Sequence, residues 1–372
     1  FRQVQALGLC RSERYAVDSA REFLRHARFH HWNVQSVSGH IEIAITESIE
    51  AVAEHCRIQE LIRLGAKARY RMLLTGTIIT NKAIDIFSPY KFLNPAVFGN
   101  SFYAFRNRYF DMTGYGLHVP VLKKNMTEEL TRRIHSIAFR ATKAECLDLP
   151  ETTEIVRTVG LERETLTLYH ELVQDSMIQL GKGEVTATNV LTRLLRLSQL
   201  TGGFLREDGA DRPTQVDSAK LTALADIVDS AAQDGKKLVV IARFLPEINA
   251  ITRMLEKKAI GYSLISGEIR DRDEQVRRFQ QDPDVTVFVG QIATAGMGIT
   301  LTAADTMIFY SLDYSMSNFE QAKARIHRVG QRNPCTYLYL VAAGTVDEKV
   351  LQALRDKADL ARILIDEYRA GR

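Results

Sequence analysis

Four cysteines in 372 residues, Cys10, Cys56, Cys146 and Cys335, form no Cys-x-x-Cys pair. That spacing argues against a zinc ribbon or a disulfide framework, and a reducing cytosol fits best. Eight prolines and 22 glycines exclude collagen-like and low-complexity chains. No apolar run approaches the ~18 residues that a membrane span needs, which argues against an integral membrane protein. A large excess of one charge is missing too. The 49 basic and 45 acidic residues leave +4, too little to identify a nucleic-acid binder by bulk charge, yet enough if the basic residues share one face. The chain opens at Phe1 with no charged-then-apolar leader, and natural upstream sequence is expected before it.

What is present is an ordinary globular composition long enough for two or three domains at ~150 residues each. Three zones follow one another, at 1–81, 82–216 and 217–372. In the first, apolar runs at Val4–Leu9, Ile41–Ile45 and Met72–Leu74 predict buried strands, with helical patterns around Tyr15–His30 and Glu50–Leu64. The middle zone lacks clear strands. Its helical spacing recurs at Leu166, Tyr169, Leu172 and Val173 and again at Val190, Leu191, Leu194, Leu195 and Leu197. Glu207–Gln215 reads as an exposed loop. The last zone alternates strands at 238–241, 262–265, 285–289, 306–310 and 337–341 with helices at 220–232, 247–258, 272–280, 318–327 and from 346. Such βα alternation predicts a parallel sheet covered on both faces, with ligands at the carboxyl ends of its strands.

Three stretches carry candidate chemistry. In Gln321-Ala-Lys-Ala-Arg325-Ile-His-Arg328-Val-Gly-Gln331, helical spacing puts Gln321, Arg325 and Arg328 on one face. Paired guanidinium forks match phosphate oxygens bidentately, whereas an isolated Arg-x-x-Arg is more often a solvated helix face. Thr294–Leu301 places Gly296 and Gly298 after a strand, where a backbone can approach a phosphate or simply turn. Leu73-Leu-Thr75-Gly76-Thr77 also ends a strand, with two hydroxyls beside a glycine, or is a plain turn.

Together with Val239–Phe244, Ile265-Ser-Gly267 and Thr302-Ala-Ala-Asp305, these residues resemble the Swi/Snf-type ATPases of helicase superfamily two. The run QAKARIHRVGQ looks like motif VI, TAGMGITLTAAD like motif V, VVIARF like motif IV and LLTGT like motif III. The segment RATKAECLDLPETTEIVRTVGLERETLTLYHEL resembles the family's entry into the second lobe. The resemblance runs from about Leu61 to Tyr368 and is closest to bacterial or phage members.

It implies an α/β fold of two RecA-like parallel-sheet lobes, the first partial and the second complete, with a helical insertion between them. It also implies ATP and magnesium at the cleft, duplex DNA as track and a cytoplasmic setting in a bacterial or phage-infected cell. By position, Arg325 and Arg328 become the arginines facing the γ-phosphate, with Gln321 beside them. Gly296 and Gly298 become the element coupling nucleotide to DNA, and Thr75, Gly76 and Thr77 the relay toward the other lobe.

The pattern breaks in the first lobe. No Gly-Lys-Ser or Gly-Lys-Thr occurs; only Gly181-Lys-Gly183 and Gly235-Lys-Lys237 come near, so a P-loop is absent from these residues. At the motif II position Glu47 stands where a water-activating glutamate belongs, or is an exposed carboxylate at a helix start. Thr46 replaces the magnesium-holding aspartate, and a neutral hydroxyl gives magnesium less than a carboxylate. Leu7–Cys10 with Arg21–Phe23 faintly resembles motif Ia.

His26, His30 and His31 lack a completing ligand set and read as surface or core histidines. The aromatics between Tyr90 and Phe110 read first as core packing and second as a nucleic-acid stacking surface. The expected activity is DNA-dependent ATP hydrolysis driving translocation on duplex DNA. The rival is a non-catalytic module that holds DNA or a partner. A third reading is an RNA-directed helicase of the same superfamily.

Overall fold

The computed structural model describes residues 32–37, 40–45, 55–75, 78–79, 82–113, 119–181, 187–205, 213–267, 271–293 and 298–361. The expected strand at 4–9, the helix at 15–30, the three histidines, Thr46 and Glu47 lie outside them. The chain divides into two compact units, residues 1–140 with 357–372, and residues 141–356.

The first described elements of the first unit are β1 (Trp32–Val37) and β2 (His40–Ile45), then α1 (His55–Ala66) and β3 (Tyr70–Leu73). β1 and β2 pair antiparallel, whereas β2 and β3 pair parallel. A parallel neighbour needs a crossover, and α1 is the helix between them. β1 has no clear signature in the sequence, because Trp-Asn-Val-Gln-Ser-Val carries too few apolar residues to stand out. Next come α2 (Phe87–Leu93), α3 (Phe102–Tyr109), the hairpin strands β4 (Phe110–Thr113) and β5 (Val119–Leu122), and α4 (Thr127–His135). Ser101 caps α3 by accepting from the Ala104 amide at 3.3 Å. The aromatics of this region form a core: Phe87, Tyr90, Phe105, Tyr109 and Phe110 are buried together with Leu130 and Ile134. The Tyr90 hydroxyl donates to the Ile134 carbonyl at 2.6 Å, so its polar end is satisfied inside. Phe102 and Tyr103 are the exceptions, Tyr103 being 67% exposed with the Arg106 guanidinium 5.1 Å above its ring.

The second unit runs α5 (Lys143–Cys146), β6 (Thr152–Val159), α6 (Arg163–Gly181), α7 (Ala187–Thr201), β7 (Phe204–Leu205), β8 (Thr214–Gln215) and α8 (Ala219–Gln233). It continues with β9 (Leu238–Ala242), α9 (Leu245–Lys257), β10 (Gly261–Ile265), α10 (Arg272–Gln281) and β11 (Val285–Gln291). Then follow β12 (Thr306–Phe309), α11 (Met316–Lys323), β13 (Cys335–Ala342) and α12 (Val346–Ala361). Among the described residues, six strands make one sheet in the order β10-β11-β9-β12-β13-β6, every pairing parallel. This is the RecA-like α/β architecture expected of the last zone. β9 lies inside the sheet, and all five of its residues are at most 2% exposed. An unbroken Leu-Val-Val-Ile-Ala run suits a strand covered on both faces, at roughly 1.5–3 kcal/mol per large side chain buried.

Three expectations change. The zone 82–216 does contain strands, β4 to β8. Residues 141–216 also belong with the second compact unit instead of a separate middle zone. The reason is β6, Thr-Thr-Glu-Ile-Val-Arg-Thr-Val, which pairs with β13 over eight residues at the sheet edge. An edge strand keeps polar side chains, so its hydrophobic pattern is weak. The helix expected at 318–327 stops at Lys323.

Gly203, between α7 and β7, has φ +91°, and a Cβ there would lie 2.5 Å from the Asp217 carbonyl oxygen. Gly235 has φ +65° with open space around it. Gly203→Ala is expected to lower stability by about 3 kcal/mol or more, from left-handed strain plus a backbone clash, and Gly235→Ala by about 1 kcal/mol from strain alone. Urea midpoints of the two variants check this, and equal losses would contradict it.

Candidate functional site

Arg325 and Arg328 sit in the turn that follows α11, not on the helix. Lys323 pins the end of α11. Its ammonium donates to Glu154 on β6 at 2.7 Å and lies 5.1 and 4.9 Å from the Phe319 and Tyr337 ring centres. Beyond it the Arg325 amide bonds back to the Ala322 carbonyl, only three residues away. The Arg325 carbonyl, which would serve the next helical turn, instead accepts from the Leu301 amide at 2.9 Å. The exchange ends the helix and lays the turn against residues 299–304.

Two side chains complete the seam. Arg328 Nη1 donates to the Ile299 carbonyl at 3.0 Å. Gln331, 8% exposed, donates from Nε2 to the carbonyls of Ala304 at 2.8 Å and Ile326 at 3.2 Å. Its Oε1 accepts from the amides of Arg332 and Asn333 at 2.9 and 3.0 Å. Gln331 was visible in the sequence only as the end of a motif, and its role as the staple between the two segments emerges from the fold.

Arg325 is 9% exposed, and its Nε has no hydrogen-bond partner. Burial, reinforced by the neighbouring Arg328 charge, lowers the Arg325 guanidinium to about 10. Among the described residues no carboxylate pairs with either arginine. A buried donor without an acceptor, beside a second cation, is a place prepared for an anion.

The other expected site residues fall as follows. Gln321 donates to Ser317 Oγ at 2.8 Å within its own helix and makes no described contact with the arginines. Gly298 has φ +68°, a left-handed conformation that favours glycine, and directly precedes the residue that Arg328 grips. Thr75 follows β3 in the first unit. Gly76, Thr77 and Gly296 lie outside the described residues.

The location of the pair was not anticipated. The Thr336 amide bonds to the Asp305 carbonyl and the Cys335 amide to the Glu151 carbonyl, which sets this seam at the amino-terminal edge of β12, β13 and β6. The carboxyl edge holds a different feature, a cleft of about 700 Å³ lined by Arg243, Phe244, Leu245, Gln215 and Gln291 among others. Glu247 also lines it. Its Oε2 accepts from the Arg243 and Phe244 amides and the Ser311 hydroxyl, while its Oε1 is unpartnered. Burial pushes this carboxyl up to about 7 against the pull of those bonds and of Lys220. Lys220 itself is buried in an ion pair with Asp347.

Comparisons with known proteins bear on both units. Residues 39–202 match the family model of the SNF2-related domain, and residues 219–330 match the helicase conserved C-terminal domain. Chromodomain-helicase-DNA-binding protein 1-like of Danio rerio is 27% identical over 311 residues, 81% of this chain and 29% of that protein. DNA repair and recombination protein RDH54 of Saccharomyces cerevisiae is 26% identical over 318 residues, 79% of this chain and 34% of that protein. The chain thus spans about a third of the length of such relatives. A solved Sulfolobus solfataricus SWI2/SNF2 ATPase core in complex with dsDNA aligns over 93% of this chain and 71% of its own. Its identity is 25% and its TM-score 0.48.

Gln331→Ala removes a donor from two buried carbonyls and an acceptor from two amides. It is expected to cost on the order of 2 kcal/mol or more and to lower the thermal midpoint. An unchanged midpoint would show that water or a neighbour replaces the amide. For Glu247 the folded value lies above the ordinary 4.5. The folded state therefore holds a proton that the unfolded state releases, and stability falls as pH rises from about 4.5 through about 7, by on the order of 3 kcal/mol. Glu247→Gln is expected to gain stability relative to the parent between pH 5 and pH 8 in urea titrations. Parallel pH profiles would contradict this.

Proposed function

We propose, from two adjoining matches in the order SNF2-related domain then helicase C-terminal domain, that this chain is the core of a SNF2-type helicase-like ATPase of superfamily two. Its activity on this reading is DNA-dependent ATP hydrolysis that drives movement along duplex DNA. The observation that carries it is the Arg325–Arg328 pair, two adjacent guanidiniums with a buried, unpartnered donor and, among the described residues, no protein counter-charge.

An anion of high charge is what such a pair accommodates, and the terminal phosphate of ATP supplies one while its charge spreads in the transition state. Arg328 then has two partners to choose between, the phosphate and the Ile299 carbonyl. Moving its guanidinium toward the phosphate loosens its hold on the loop at Gly298–Ala304, and releasing the phosphate restores that hold. This is a direct route from phosphate occupancy to loop position. A magnesium ion bound here would supply positive charge to the phosphates. Thr46, the position for its protein ligand, offers only a neutral hydroxyl, and Glu47 is the proposed water-activating base. The names of the relatives, one DNA-binding and one acting in DNA repair and recombination, support duplex DNA as the track.

One sequence feature favours the alternative of a binding module without turnover: the chain has no Gly-Lys-Ser or Gly-Lys-Thr to cradle phosphates. Steady-state ATP hydrolysis with and without duplex DNA, on the parent and on Arg328→Ala, separates the two. The expected result is DNA-stimulated turnover that falls by about a hundredfold or more in the variant, with DNA binding within twofold. No turnover in a folded chain that still binds duplex DNA selects the binding module. A preference for duplex RNA in salt-controlled competition would overturn the choice of track.

A further inference from the structure

We propose that Lys143 is a third cation of the anion site formed by Arg325 and Arg328, and that it contacts the bound polyphosphate directly. The inference rests on the phosphate-binding reading of the arginine pair. Lys143 stands at the start of α5, a single turn held by a reciprocal cap. The Thr142 hydroxyl accepts from the Glu145 amide at 3.2 Å, and the Glu145 carboxylate accepts from the Thr142 amide at 3.0 Å. That cap holds the backbone of Lys143 still.

The Lys143 ammonium donates to the His327 carbonyl at 3.2 Å, and His327 lies between the two arginines in the chain. The His327 ring in turn sits 2.9 Å from the Pro150 carbonyl. The stretch 143–150 therefore holds the arginine turn at two points, one of them a cation.

A neutral group would make the same bond to a carbonyl at lower cost. Desolvation, with repulsion from Lys323, Arg325 and Arg328, lowers the Lys143 ammonium from its ordinary value, and Glu320 opposes that only in part. Lys323 is already paired with Glu154, which leaves Lys143, Arg325 and Arg328 as three like charges gathered around one turn. Three cations kept together, with no ion-pair partner among the described residues, match a ligand that brings several negative charges at once, the phosphate chain of a nucleoside triphosphate. Of the three ammonium donors, one serves His327, which leaves two for phosphate oxygens.

The test is calorimetric titration of the full chain with sodium tripolyphosphate at fixed ionic strength, on the parent, Lys143→Gln, Lys143→Arg and Arg328→Ala. Lys143→Gln keeps a donor for the His327 carbonyl and removes only the charge. It is expected to weaken binding about tenfold at an unchanged thermal midpoint, while Lys143→Arg stays within about threefold of the parent. If Lys143→Gln binds like the parent while Arg328→Ala is weakened, Lys143 is a latch alone, and the proposal falls with the arginine site intact. If the parent does not bind, or Arg328→Ala binds as the parent does, the arginine reading itself fails and takes Lys143 with it.

Discussion

Holding two guanidiniums close together with no carboxylate partner among the described residues is the constraint around which the second unit is organised. Like charges separate unless the backbone forbids it, and here the backbone does. The Arg325 carbonyl is bonded to the Leu301 amide, Gln331 ties the same turn to Ala304, and Lys323 anchors the preceding helix on β6 and β13. Each of these is a bond between segments distant in sequence. The electrostatic cost of the pair is thus carried by ordinary hydrogen bonds and packing.

The parallel sheet supplies the rigidity that makes this possible. β9, β11 and β12 bury apolar side chains on both faces, Val240, Val289 and Ile308 on one and Ile241, Phe288 and Phe309 on the other, so the loops at either edge start from fixed points. The unit presents different chemistry at the two edges. At the amino edge are cations around a seam of backbone bonds. At the carboxyl edge is a cleft with a buried, easily protonated Glu247 beneath it. β11 ends at the carboxyl edge, and residues 298–305 lead into β12 at the amino edge.

Most of this sheet was legible from residues alone. Leu238–Ala242 appears as an unbroken apolar run because it is buried on both faces, and Val285–Gln291 and Gly261–Ile265 remain visible although Thr286 and Ser263 interrupt them. The helices between them show the apolar spacing of one covered side. β6 was not legible, since an edge strand with Thr, Glu and Arg along it looks like any polar segment. The end of α11 was hidden for a similar reason. Residues 318–327 carry good helical spacing, and what diverts the Arg325 carbonyl from continuing the helix is the Leu301 amide. That amide belongs to the loop before β12, outside any window in which helical spacing is read.

The candidate site divides along the same line. The amino-acid sequence by itself determined which residue types are available: arginines three apart, a glycine at position 298, and the polar Gln331 that closes the motif. These are local facts, governed by side-chain chemistry and by the dihedral freedom of single residues. Only the tertiary structure decided that the arginines lie at the amino edge of the sheet and that Lys143 reaches their turn from 184 residues away. It alone also buries Glu247 deeply enough to hold a proton near neutrality. Burial, desolvation and bonds between distant segments depend on which surfaces meet, and no short window of sequence contains both surfaces.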